Sequence, residues 1–168
     1  SALAKMQPGE GAAIQMIFAP AGSKWKGKGS GYIAGIKKQE ANPEEAKYDH
    51  DPKSLEAIAT KVTKAGFNTV IRIVVSSTSK EMADAHLSNI EAAFSPLSSD
   101  QNSFTRAKYL FKRLFMVDFI YRYFPILNLR WWRQTSVMSS DELATVFHFP
   151  NKSVETPHIF WLNAKRAP

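Results

Sequence analysis

A ten-residue run rich in β-branched residues, 67–76 (FNTVIRIVVS), constrains the fold of this chain more than any other segment. Its nearly continuous apolar character is typical of a central strand that is covered on both faces. Asp51 and Pro52 have the chemistry of an N-cap and a first-turn residue, and Gly66 stands at the C′ position of the helix that they would open. The sequence therefore predicts a helix that leads directly into a buried strand.

A second helix is predicted after this strand. Thr78 and Glu81 have the spacing of a capping box, and Pro96 marks the end of the helix. The predicted apolar stripe comprises Ala83, Leu87, Ile90 and Phe94. Helix, strand and helix thus follow one another in the middle of the chain.

The first half of the chain contains one more predicted strand. Residues 12–19 are apolar and lie between glycines and Pro20, as expected for a buried strand. The glycine- and lysine-rich stretch 24–31 predicts a flexible loop, followed by a helix over 32–38. The polar stretch 40–51 predicts a flexible linker on the surface.

The second half is predicted as a long helix over 104–123, stopped by Pro125. Residues 126–132 fit either a strand or an irregular segment. Ser139 and Glu142 form another capping-box pattern, which opens a short helix through Phe147. A final edge strand is predicted over 156–162.

Together these elements predict one α+β domain over 1–168. Its sheet is expected to be mixed or antiparallel, with ferredoxin-like elements and helices mainly on one face. Ser1 in place of an initiator Met leads us to expect a fragment of a longer chain.

The residue types that carry most enzyme chemistry are missing or badly spaced. The chain has no cysteine, its four histidines show no metal-binding spacing, and 27–31 lacks the spacing of a phosphate-binding glycine loop. No nucleophile elbow is present. We therefore expect no catalytic residue, no cofactor site and no metal site, and a protein that is not an enzyme.

Arg72 is a charge inside the predicted central strand, on the same face as Val70 and Val74. An unpaired buried ion is costly, so Arg72 needs a partner or access to an edge. A salt bridge to a helix carboxylate such as Glu91, or a place at the sheet edge, is the favoured interpretation. A subunit interface is the alternative.

The positive charge of the chain is concentrated in 104–133, which contains seven bases and a single acid, Asp118. The same segment contains ten of the twenty aromatic residues. Three readings stay open: a core helix whose bases occupy the solvated face, a protein or anionic-membrane interface, and a nucleic-acid contact. On the first reading, the stripe that faces the core would be Leu110, Leu114, Val117, Tyr121 and Phe124. The candidate contact residues are Arg106, Lys108, Lys112, Arg113, Arg122, Arg130 and Arg133.

Four segments, taken in order, resemble the region that precedes the motor in type IV secretion and conjugative DNA-transfer ATPases, which are HerA- and FtsK-like proteins of uncharacterised bacteria. The segments are 14–20 (IQMIFAP) with Trp25 downstream, 70–75 (VIRIVV) with the helix ending at 92–94, 139–150 (SSDELATVFHFP), and 156–157 with 164–168 (AKRAP). The third segment is the most specific.

This resemblance implies an accessory domain that helps a DNA-translocating ATPase to assemble, with the motor beginning after Pro168. Its expected partners are the ATPase domain of the same chain, further copies of itself or secretion-complex proteins, and DNA. The expected location is the cytoplasm at the inner face of the membrane, with membrane contact only through parts outside 1–168. The alternative function is a nucleic-acid-binding module that uses 104–133.

Overall fold

The described part of the chain combines helices with one small antiparallel sheet. The computed structural model describes residues 5–42, 51–98, 103–107, 109, 111–125 and 135–147. The elements are β1 (Gly11–Pro20), α1 (Lys24–Glu40), α2 (Pro52–Thr63), β2 (Gly66–Ser76), α3 (Lys80–Ala92), a 3-10 turn (Ser95–Leu97), α4 (Lys112–Ile120), β3 (Ser136–Ser139) and α5 (Ser140–Val146). The predicted α+β class is confirmed.

The sheet has the order β1-β2-β3, and both strand pairs are antiparallel. β1 pairs with β2 along its whole length, with Ile14 opposite Ile73. The short β3 pairs only with Gly66–Thr69, at the start of β2. The central position predicted for 67–76 is therefore confirmed, whereas β3 has no counterpart among the predicted elements.

α1 is longer than its sequence suggests. It begins at Lys24, so the flexible loop predicted for 24–31 is wrong, and the helix predicted over 32–38 is only its second half. Tertiary packing explains the difference, because a Cβ atom at Gly29 would lie only 2.5 Å from Cγ1 of Val62 in α2. Gly29 allows the two helices to approach closely, although glycine disfavours an isolated helix.

α2 begins as predicted. The Asp51 side chain accepts a hydrogen bond from the Lys53 backbone N–H at 3.1 Å, and Pro52 occupies the first helical position. Gly66, however, is not a C′ residue. It opens β2, where a Cβ atom would collide with the Trp25 ring, so its role is close packing between α1 and the sheet.

The N-cap of α3 was predicted at the wrong residue, whereas the N-cap of α5 was predicted correctly. Ser79, not Thr78, caps α3, because its side chain accepts from the Met82 backbone N–H at 3.2 Å. The capping box of Ser139 and Glu142 at α5 is confirmed in both directions.

α4 covers only Lys112–Ile120, so the helix predicted over 104–123 is too long. Residues 103–107 have no regular secondary structure. The helix ends before Pro125 through a left-handed residue, Arg122, with φ of 58°. The Tyr123 N–H donates to the Asp118 carbonyl at 3.0 Å and the Arg122 N–H to the Phe119 carbonyl at 3.4 Å, the hydrogen-bond pattern of a Schellman motif.

Three predicted segments fall wholly or mostly outside the described residues. They are most of the linker over 40–51, the undecided segment 126–132 and the edge strand 156–162.

Candidate functional site

Arg72 lies inside the fold, with 2% of its surface exposed. Its guanidinium donates to the carbonyls of Asp118 (3.2 Å) and Tyr123 (2.6 Å) and to the Gln15 side-chain oxygen (2.9 Å). The predicted intramolecular carboxylate partner exists, but it is Asp118, with 4.0 Å between Arg72 Nη2 and Oδ2. The proposed partner Glu91 is wrong, because Glu91 binds Arg106 instead.

The position of Arg72 follows from the end of α4. Backbone carbonyls at a helix C-terminus carry partial negative charge and lack helical donors, so they attract a cation. Arg72 supplies that cation from the central strand rather than from the sheet edge. Since almost none of its surface is exposed, Arg72 adds little to any outer surface.

The seven candidate bases are spread over different environments. Arg106 forms two hydrogen bonds with Glu91, at 2.9 and 2.7 Å, and this carboxylate raises the pKa of Arg106. Lys112, Arg113 and Arg122 are exposed and have no ion pair among the residues that the structure describes. Lys108, Arg130 and Arg133 lie outside the described residues.

α4 presents a face that is both apolar and cationic, which we call the α4 face. Its apolar members are Met116 (41% exposed), Val117 (40%), Ile120 (63%), Tyr121 (63%) and Tyr123 (52%), and Lys112 and Arg113 lie at its first turn. The rings of Tyr121 and Tyr123 stack at 5.7 Å. The only acid of α4, Asp118, points inward and is 1% exposed.

The α4 face corrects the predicted core stripe. Leu114 and Phe124 are partly buried, but Val117 and Tyr121 are exposed, and Leu110 is not described. Val117 lies about 100° around the helix from the buried Asp118, and Tyr121 is the C-cap residue after the last helical position. Asp118 is buried against Arg72, which lies 46 positions away, so the sequence stripe gives no sign of this buried position.

A second buried polar cluster joins Glu10, Ser77 and His86. His86 Nε2 lies 2.9 Å from Glu10 Oε2, and the Ser77 hydroxyl donates to Glu10 Oε1. A nucleophilic serine needs a hydrogen bond to its base, whereas here the carboxylate stands between serine and histidine. The cluster therefore ties the segment before β1 to the end of β2 and to α3. No sequence spacing indicated it.

This cluster favours the charged form of Glu10. A hydrogen bond from the Gln7 backbone N–H, followed by the bonds from Ser77 and His86, lowers the pKa of Glu10 despite burial. At α5, burial raises the pKa of Glu142, but hydrogen bonds from Lys61 and the Ser139 backbone outweigh this effect and lower it. Both carboxylates thus act as charged anchors in the folded protein.

An open groove of about 660 Å³ runs beside β1. Five consecutive β1 residues, 13–17, line it. Its other walls are Phe94, Phe119, Arg122, Val146 and Phe147. The groove is mainly apolar and has no pair of acidic or basic groups that could transfer a proton.

Neither a metal site nor a membrane span is found in the described ranges. No group of three or more histidine, cysteine, aspartate or glutamate side chains there could hold a metal ion. None of the helices in those ranges is long and apolar enough to cross a bilayer.

Comparison with known proteins identifies a family. The model of a domain of unknown function, DUF8128, matches residues 3–162. No curated protein and no solved structure gives a significant match. The matched region contains β1, β2, the α4 face and the groove. Because it covers nearly the whole chain, the protein belongs to the DUF8128 domain family.

Proposed function

We propose that this chain is a non-catalytic accessory domain that assembles a DNA-translocating ATPase of the type IV secretion kind. The single observation that carries the proposal is the α4 face, where apolar side chains and cations are exposed together without an exposed acid. The resemblance of 14–20, 70–75 and 139–150 to the region before such motors supplies the setting.

The apolar part of the α4 face supports docking. Its five large side chains are each between 40% and 63% exposed; Met116, Val117 and Ile120 lie in α4, and Tyr121 and Tyr123 follow its end. Contiguous exposed apolar patches on soluble domains commonly mark interaction sites. Tyrosine and methionine are also enriched where protein interfaces are buried.

The charge of the α4 face supports an acidic partner. Lys112 and Arg113 occupy the first turn of α4, where the helix dipole disfavours cations. A local rule that is broken at the surface points to a functional demand rather than to stability. An acidic surface on the ATPase domain of the same chain, on a second copy or on a secretion-complex protein would complement these cations.

The test is binding of the ATPase domain, supplied as a separate polypeptide. Met116→Ser with Ile120→Ser is expected to weaken binding on the order of tenfold to a hundredfold, because central apolar contacts dominate such interfaces. Calorimetry measures the dissociation constant, and sedimentation velocity measures self-association. The matched control is Thr60→Ala with Glu56→Gln on the exposed surface of α2, which should leave both unchanged. Wild-type binding without any loss in the α4 variant would refute the α4 face as the docking surface.

Nucleic-acid binding is the second candidate, favoured by the stacked Tyr121 and Tyr123 beside Arg122. Phosphate contacts give a dissociation constant that rises steeply with salt, and stacked aromatics suit exposed bases. Fluorescence anisotropy with single- and double-stranded DNA tests this. Lys112→Ser with Arg113→Ser should reduce the salt slope by about 2. Absence of binding at low salt would eliminate this candidate and leave protein assembly.

A further inference from the structure

The groove beside β1 has the size and the lining of a site for a small apolar ligand. Its volume of about 660 Å³ falls within the usual range of ligand sites, about 300–1,000 Å³. Eight of its ten lining residues have apolar side chains, contributed by β1, Phe94, Phe119 and the end of α5. An apolar ligand would therefore leave water for a surface of its own kind, which favours binding.

The two polar side chains that line the groove are Gln15 and Arg122. The Gln15 amide is already engaged, because its nitrogen donates to the Phe119 carbonyl at 2.9 Å and its oxygen accepts from Arg72 at 2.9 Å. Arg122, in contrast, is exposed, and its side chain forms no ion pair with any residue that the structure describes. The groove thus offers a ligand one charged group, the Arg122 guanidinium.

The backbone of Arg122 gives independent support for a ligand. Its φ of 58° lies in the left-handed region, which costs stability for a residue with a Cβ atom. Residues held in such conformations cluster at active sites and ligand clamps. A cation without an ion pair, placed at the groove against backbone preference, points to a ligand that carries negative charge.

We propose that the groove binds a single-chain amphiphile, with its apolar chain along the groove and its anionic head, a carboxylate or a phosphate, on Arg122. A guanidinium binds either anion through paired N–H donors. A peptide suits the groove less well, because each of its residues brings a backbone N–H and C=O that need partners. The groove shares no residue with the α4 face, so this binding site goes beyond the proposed assembly function.

Calorimetric titration with dodecanoate, dodecyl phosphate and dodecylammonium tests the charge of the ligand. Each probe is used below the concentration at which it forms micelles. We expect one molecule of either anion to bind per chain, and the ammonium to bind at least about tenfold more weakly, since it forms no charge-assisted hydrogen bond with a guanidinium. The tighter of the two anions identifies the headgroup. Equal affinity for the ammonium and the anions would overturn the proposal.

Arg122→Asn tests the role of the cation. Asparagine tolerates the left-handed conformation, so the substitution removes the charge without adding backbone strain. The dissociation constants of both anions are expected to rise about tenfold to a hundredfold, with no loss of thermal stability. The matched control is Lys38→Gln, which removes an exposed cation of α1 outside the groove and should leave binding unchanged. Wild-type affinity in Arg122→Asn would contradict the proposed site.

Ala13→Trp tests the apolar wall. Ala13 is exposed and lines the groove, so an indole there would occupy part of it and should weaken anion binding more than about tenfold. Ala57→Trp, on the exposed surface of α2, is the control and should bind like the wild type. Circular dichroism checks that each variant is folded.

Two other occupants of the groove would give different results. Self-association that Ala13→Trp abolishes, without binding of either anion, would assign the groove to a second copy of the chain. Binding of a short apolar peptide, again without binding of either anion, would assign it to a protein partner. Sedimentation velocity and the same calorimetric titration detect these outcomes, and each of them would overturn the proposal.

Discussion

Arg72 places a guanidinium inside the fold, against the carbonyl end of α4. Its hydrogen bonds go to two carbonyls and to Gln15, whereas the Asp118 carboxylate is 4.0 Å away. Asp118 Oδ1 and Arg72 Nε have no hydrogen-bond partner in the described structure. The cation therefore stabilises the helix end mainly through neutral acceptors.

Arg72→Met should consequently lower the free energy of unfolding more than Asp118→Asn does. Loss of Arg72 leaves the buried Asp118 carboxylate without its cation and removes the guanidinium donor from Gln15 Oε1 and the Tyr123 carbonyl, which costs about 3–5 kcal/mol of unfolding free energy. Asp118→Asn keeps the guanidinium and its three acceptors, so a loss of about 1–3 kcal/mol is expected. Urea unfolding at neutral pH measures both values. A larger loss for Asp118→Asn would show that the ion pair, not the capping of α4, dominates.

The lowered pKa of Glu10 predicts that the stability of the folded protein depends on pH in the acidic range. Its pKa is lowered in the folded protein, so its contribution to stability is present above the unfolded pKa, about 4.3 for glutamate. That contribution is lost as the pH falls through the lower folded value. The wild type should therefore exceed Glu10→Gln in stability at neutral pH, and the difference should shrink below about pH 4. Thermal unfolding between pH 3 and 7 checks this, with the exposed Glu56→Gln as control.

At the scale of elements, the end of α4 places a non-glycine residue in a left-handed backbone conformation. Arg122 adopts φ of 58°, a conformation that glycine prefers at the C′ position of a Schellman motif. Arginine there costs about 1 kcal/mol relative to glycine. An exposed cation beside the α4 face and the groove thus stands where stability alone would favour a glycine.

Arg122→Gly should therefore raise the free energy of unfolding by about 0.5–1 kcal/mol. Guanidinium chloride unfolding measures the change. Arg122→Ala, which removes the same charge but keeps a Cβ atom, is the control and should give no such gain. If both variants were equally stabilised, the charge and not the backbone conformation would be responsible.

The element ends also show what local sequence can predict. The capping box at Ser139 and the cap at Asp51 were predicted because each hydrogen bond joins residues within three positions of one another. The length of α4 was not predicted. Its apolar and aromatic residues continue beyond both ends of the helix, so periodicity alone marks no boundary.

At the scale of the whole molecule, α1 packs closely against its neighbours at two glycines, one in α1 itself and one in β2. Gly29 lies against Val62 of α2, and Gly66 lies against Trp25. Gly31, two residues after Gly29 on the same helix, has open space around its Cα atom. The two α1 glycines therefore provide a matched comparison of packing against helix propensity.

Gly29→Ala and Gly31→Ala should change stability in opposite directions. Gly31→Ala should stabilise by about 0.5–1 kcal/mol, because alanine is the better helix former at an exposed position. Gly29→Ala should destabilise by about 1–3 kcal/mol, because the added methyl group overpacks the contact with Val62. Thermal and urea unfolding measure both changes. Stabilisation by both substitutions would mean that α1 and α2 do not pack this closely.

The sequence by itself determined the α+β class, the central strand and the caps of α2 and α5. These features depend on residue type and on spacings of a few positions, which hydrophobic periodicity and capping chemistry report directly. The sequence also places seven bases within 104–133, but it does not show how they are arranged in the fold.

Only the tertiary structure decided which partner Arg72 has, which side of α4 is exposed, and that Glu10 meets His86. Each depends on contacts between residues far apart in the chain: 46 positions for Arg72 and Asp118, and 76 for Glu10 and His86. Such contacts are selected by the packing of whole elements, which no local pattern encodes. Two residues of the predicted core stripe, Val117 and Tyr121, are exposed on the α4 face, whereas Asp118, which is not part of the stripe, is buried against Arg72.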